Sequence, residues 1–174
     1  TVEATDAAPE YGIGVPVASV PACDVACLGR LSERKGDYIR LNRDRSVAEP
    51  ERPRVGRPTR LSLRQEDFVD VLSIRAMRRE HSGILELKGI LTGLRWILKT
   101  SRHFNKISLF LIDAKAVLSA VADGRSGAPG WEGTMCAIMA LMLASGSLLR
   151  PLYIPSEDNP VDHLSRGTRR RPPL

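Results

Sequence analysis

The sequence predicts an α/β domain built on a mixed sheet with helices against it, and three observations carry that prediction. A β-branched hairpin pattern opens the chain, an almost wholly apolar run of strand length stands at Ile107 to Ile112, and helix-length and strand-length segments alternate around and after it. At 174 residues the chain is long enough for one ordinary domain with its own core.

Taken in order, Val2 to Ala4 and Tyr11 to Val20 read as two short strands about a turn marked by Pro9 and Gly12. Residues 21–70 show no period. Pro50, Pro53 and Pro58 remove backbone donors, which excludes helix interior and central strand there, so the stretch reads as an Arg/Pro-rich surface insertion. Val71 to Met77 returns to strand. Ser82 then reads as a helix N-cap, with Leu87, Ile90, Leu91, Leu94 and Leu98 recurring at helical spacing. Gly89 and Gly93, one turn apart, suit close approach of this helix to a sheet.

Ile107 to Ile112 has the composition of a strand buried on both faces, and it ends in Asp113. Ala114 to Val121 reads as a helix, Gly124 to Gly130 as a loop, Trp131 to Ser145 as a long apolar helix and Leu149 to Ile154 as a strand. Asn159 as N-cap with Pro160 behind it opens a short final helix. The domain therefore covers residues 1–167, followed by a basic tail, 168–174.

The net charge of +6 and a pI of about 9.6 are compatible with a polyanionic partner, since each neutralised phosphate releases counterions. Arginines crowd the stretch from Arg40 to Arg79 and the tail at Arg169, Arg170 and Arg171. No apolar run is long enough to span a bilayer, which excludes an integral helical membrane protein. Cys23 and Cys27 have a C-x3-C spacing with no second pair, so they and Cys136 read as plain thiols of a reducing compartment, with cytoplasm and nucleus both open. Starting at Thr1 without a Met, the chain reads as a piece of a longer polyprotein.

Four carboxylates fall at informative places. Asp6 follows the first strand, Glu86 lies in the first turns of the first long helix, Asp113 ends the buried strand and Asp162 lies in the first turn of the last helix. Functional groups gather at the carboxyl ends of strands in open α/β sheets. An acid closing six apolar residues needs a partner, and acids drawn together repel unless a cation sits between them.

The local words are Thr5-Asp6-Ala7-Ala8 with Tyr11-Gly12-Ile13-Gly14, His81-Ser82-Gly83-Ile84-Leu85-Glu86-Leu87, Leu111-Ile112-Asp113-Ala114-Lys115, Tyr153-Ile154-Pro155, and Asn159-Pro160-Val161-Asp162-His163-Leu164-Ser165-Arg166. In this order they resemble the ribonuclease H-like domain of retroelement (retrotransposon) reverse transcriptases, over nearly the whole chain apart from residues 21–70. The resemblance implies a five-stranded mixed sheet flanked by helices. It implies an endonuclease that cleaves the RNA strand of an RNA–DNA hybrid, with Asp6, Glu86, Asp113 and Asp162 as catalytic residues holding two Mg2+ ions, or Mn2+ in their place. The partners it implies are the hybrid, read by shape and 2′-hydroxyls, and the reverse transcriptase domain of the same polyprotein. Lys115, Arg125 and Ser126 are the candidate nucleic-acid contacts.

The chain also departs from that pattern. Ala114 stands where many relatives have Asn, Glu157 and Asp158 occupy the loop where a mobile histidine is often found, and no basic helical protrusion is present. Read singly, Asp6 is an Asx-turn residue, Glu86 complements a helix dipole and Asp162 is a capping-turn acid. Read together, one metal site explains all four. The second functional reading is a catalytically inactive domain of the same fold that binds nucleic acid or braces the polymerase. A transposase or integrase core is the third, and Glu86 speaks against it.

Overall fold

Strand β3 (Gly12–Ala18) is the strand on which the first half of the sheet is assembled. On one side it pairs antiparallel with β1 (Val2–Ala4) and β2 (Asp6–Ala8), on the other with β6 (Val69–Arg75). Pro16 has no N–H to give, and the ladder to β6 shifts register between Val15 and Pro16, a bulge that accommodates the missing donor. β1 also pairs in parallel with β7 (Ile107–Ile112), and β7 with β8 (Leu148–Tyr153). The sheet is thus mixed, in the order β6, β3, β1 with β2, β7, β8. The computed structural model describes residues 1–8, 11–33, 36–42, 54–78 and 80–165.

The expected first strand is longer than its apolar residues show. It continues beyond a break at Thr5, whose N–H donates to the Leu111 carbonyl at 3.2 Å while its own carbonyl accepts from the Asn159 side chain at 3.4 Å. Asp6 therefore begins a strand segment rather than following a strand. Pro9, half of the expected turn signal, lies outside the described residues.

Helices cover both faces. On one side α2 (Ser82–Ile97), α3 (Lys115–Asp123) and α4 (Glu132–Ser145) bury Leu87, Ile90, Leu94, Val117 and Ile138 against Phe110 and Ile112. On the other side α1 (Ala22–Gly29) and the strand pair β4 (Tyr38–Arg40) and β5 (Pro58–Arg60) form the cover. Val25, Leu28, Ile39, Leu41, Leu61 and Phe68 pack there with Val2, Leu109 and Leu111, together with Leu164 of α5 (Asp162–Ser165). This corrects the surface-insertion reading of residues 21–70. Much of that segment is the second hydrophobic layer, because the β7 side chains facing it are apolar and need burial. Of the Arg/Pro run from Glu49 to Pro58, residues 49–53 lie outside the described residues, as does the basic tail, while Pro58 opens the short strand β5.

Smaller differences are local. α2 is capped by His81, whose Nδ1 accepts from the Gly83 N–H at 3.2 Å, so Ser82 is the first helical residue and not the cap. α5 begins at Asp162, two residues beyond Pro160; Asn159 Oδ1 accepts from the Val161 N–H at 3.3 Å and closes the turn before it. The glycine expectation for α2 is met. A Cβ on Gly89 would stand 3.6 Å from Thr5 Cβ, and one on Gly93 would stand 2.7 Å from Glu3 Oε2. No described helix is long and apolar enough to cross a membrane.

Candidate metal centre

The close seating of α2 on the sheet sets the site. With Gly93 over Glu3 and Gly89 over Thr5, the helix tracks β1 and β2, and Glu86, less than a turn before Gly89, comes down beside Asp6. β7 lies next to β1 and ends at Ile112, so Asp113 emerges at the same corner. One carboxylate oxygen from each of Asp6, Glu86 and Asp113 lies within 4.8 Å of the others, and all three side chains are half-buried. Three segments far apart in sequence are thus brought to one point by one helix and two neighbouring strands.

The electrostatics of the cluster are unfavourable without a cation. Burial pushes the Glu86 carboxyl up to about 8, and the charges of Asp113 and Asp6 add to it. Asp113 is also raised, by burial and by Asp6, while hydrogen bonds from the Ser156 and Asn159 side chains pull it back. Glu86 Oε2 is buried and has no hydrogen-bond partner among the described residues. A buried carboxylate oxygen left without a donor is costly, and a hard cation ligated by oxygen removes both the orphaned acceptor and the mutual repulsion. The donor set, all carboxylate oxygen, fits magnesium or manganese and offers nothing to a thiophilic metal. Cys23, Cys27 and Cys136 are exposed free thiols away from it.

The structure does not bring together every residue singled out in the sequence. Asp162 opens α5, and its side chain lies outside the described residues. Lys115 follows Asp113 by two residues, and its ammonium lies 4.9 Å from the centre of the Tyr153 ring. Arg125 and Ser126 follow the far end of α3, about 13 Å along the helix at 1.5 Å per residue. Ser126 Oγ accepts from the Ala128 N–H at 3.0 Å, which closes the loop there. His163 pairs with Asp70 of β6 at 3.1 Å, away from the carboxylate cluster.

Sequence reasoning missed the supporting residues. Asn159 read as a helix cap, yet its side chain bonds to the Thr5 carbonyl and, with that of Ser156, lowers the Asp113 carboxyl. Arg40 and Arg54 lay in the segment read as surface insertion. The C-terminal word around Asn159 was the one signal that pointed to any of these four. In comparisons with known proteins, no family model, no curated protein and no solved structure matches this chain.

Proposed function

We propose that this chain is a ribonuclease H-like domain of a retroelement reverse transcriptase, a metal-dependent endonuclease that cleaves the RNA strand of RNA–DNA hybrids. The observation that carries the reading is the convergence within 4.8 Å of Asp6 at the start of β2, Glu86 on α2 and Asp113 just after β7. The sheet order supports it, with an antiparallel meander leading into two parallel strands and the site where they meet. So does the motif order, since each acid falls in the word that the resemblance assigns to it.

In this reading Asp6, Glu86 and Asp113 would hold divalent magnesium, with Asp162 as the fourth acid that the resemblance implies. Bound divalent metal supplies an activated water and charge stabilisation at the scissile phosphate. The chain's own contribution is to present the carboxylates preformed: Ser156 and Asn159 orient Asp113, α2 holds Glu86, and β2 holds Asp6. To ligate a cation, Glu86 would have to be deprotonated. Lys115, exposed and braced on Tyr153, offers an ammonium for a backbone phosphate of the hybrid.

One observation favours the second reading, an inactive domain that binds nucleic acid or braces the polymerase. The turn before α5 carries Glu157 and Asp158, engaged by Arg54 and Arg40, and no histidine to assist the leaving oxygen. Incubation of a doubly labelled RNA–DNA hybrid with Mg2+ or Mn2+ separates the two. The endonuclease reading expects metal-dependent cutting of the RNA strand alone, lost in Asp113→Asn; an intact hybrid that is nonetheless bound establishes the binding reading.

A further inference from the structure

Arg40 of β4 is 3% exposed, and its Nη1 lies 2.9 Å from Oδ2 of Asp158, itself 1% exposed, and 3.5 Å from Glu157. Arg54 Nη2 contacts both Glu157 oxygens, at 2.8 and 3.0 Å, and its Nη1 donates to the Tyr153 hydroxyl at 3.0 Å. Both guanidinium groups thus grip one short turn, Ser156–Asp158, which is closed internally by Asp158 N–H to Pro155 and Asn159 N–H to Ser156. On its other side this turn meets the metal centre. Asn159 Nδ2 donates to the carbonyl of Thr5, next to Asp6, at 3.4 Å, and the Ser156 and Asn159 side chains hold the Asp113 carboxyl lower than burial alone would leave it.

A buried ion pair is a poor way to gain stability, because desolvating two charges offsets most of their attraction, and apolar residues of similar volume do as well or better. What a charge-assisted hydrogen bond between groups fixed on two segments does well is fix geometry. The pair spans 118 positions of sequence and ends one residue from a ligand-orienting side chain. We infer that Arg40 and Arg54 are positioning residues for the acid cluster, clamping the Ser156–Asp158 turn so that Ser156 and Asn159 hold Asp113 in ligating geometry. The segment between β3 and β6 is then a brace of the site as well as a cover for the sheet. This inference rests on the metal-centre reading above.

Calorimetric titration of the full chain with Mn2+ tests it, with circular dichroism confirming the fold of each variant. Groups that orient metal ligands affect affinity by about tenfold or more when removed. Arg40→Met is expected to weaken Mn2+ binding about tenfold, with partial rescue in Arg40→Lys, and the better-exposed Arg54→Ala to weaken it less. Asp113→Asn abolishes binding. A merely structural role lowers thermal stability and leaves the affinity of the folded fraction unchanged. Should Arg40→Met fail to fold, Arg54→Ala decides alone. Unchanged affinity in the folded variants, with Asp113-dependent binding in the unmodified chain, overturns the clamp and spares the metal centre. Absence of Mn2+ binding in the unmodified chain overturns both.

Discussion

Gly93 of α2 lies so close above Glu3 of β1 that a Cβ at position 93 would stand 2.7 Å from Glu3 Oε2, with Phe110 at 3.2 Å and Val15 at 3.4 Å around it. Glu3 is fully buried beneath the helix, and neither carboxylate oxygen has a hydrogen-bond partner among the described residues. The contact links the seating of the helix, which positions Glu86, to a buried acid in the central part of the sheet.

Replacing Gly93 by alanine forces the helix or the Glu3 side chain to move. Overpacking of a close-packed interior costs about 1–3 kcal/mol. Gly93→Ala is expected to lose that much stability in urea unfolding, and to weaken Mn2+ binding because Glu86 moves with α2. A stability equal to that of the unmodified chain contradicts the close seating.

Burial holds the Glu3 carboxyl well above the usual carboxylate range, partly opposed by the Thr1 amine. The folded state therefore keeps a proton that the unfolded chain releases above about pH 4.5. Stability contributed by this group is greatest below that pH and declines as pH rises towards the folded-state value. Urea midpoints without metal are expected to fall from pH 5 to pH 8, and Glu3→Gln to flatten that slope. A slope unchanged in Glu3→Gln assigns it to other groups.

Metal binding has its own pH dependence. Glu86, raised to about 8, must lose its proton to ligate. Below that pH each unit costs about tenfold in affinity for one linked proton, and above it the curve levels. Mn2+ titrations between pH 6 and 9 are expected to follow this line, and a flat profile contradicts a ligand role for Glu86.

The same group carries a trade between stability and binding. Glu86→Gln removes a desolvated charge from between two acids, so without metal at pH 8 or above it is expected to raise stability by about 1–2 kcal/mol. Added Mg2+ then stabilises the unmodified chain but not the variant. Thermal unfolding with and without Mg2+ measures both effects, and a variant still stabilised by Mg2+ removes Glu86 from the ligand set.

What was legible in the sequence was what local chemistry dictates. The run from Ile107 to Ile112 reads as a doubly buried strand because nothing polar but Ser108 interrupts it, and Asp113 stands out because it closes that run. α2 is legible from its leucine period and its paired glycines. The second layer of the fold was not. Val25, Ile39, Leu41, Leu61 and Phe68 are scattered among charged residues and prolines, and only distant partners on β1 and β7 make them a core. Glu3 was equally opaque: in a strand covered on one face it would alternate outward, and helices on both faces bury it instead. Of the site, the three acids were readable from their words. Their support by Ser156, Asn159, Arg40 and Arg54 depends on contacts across most of the chain.

The central claim is that Asp6, Glu86 and Asp113 form a cation site, and anomalous diffraction from crystals grown with Mn2+ tests it most directly. The account predicts an anomalous peak bounded by oxygens of all three residues at about 2 Å, the distance of hard-cation carboxylate ligation. An ordered cluster with no peak at saturating Mn2+, or manganese ligated elsewhere in the chain, contradicts it.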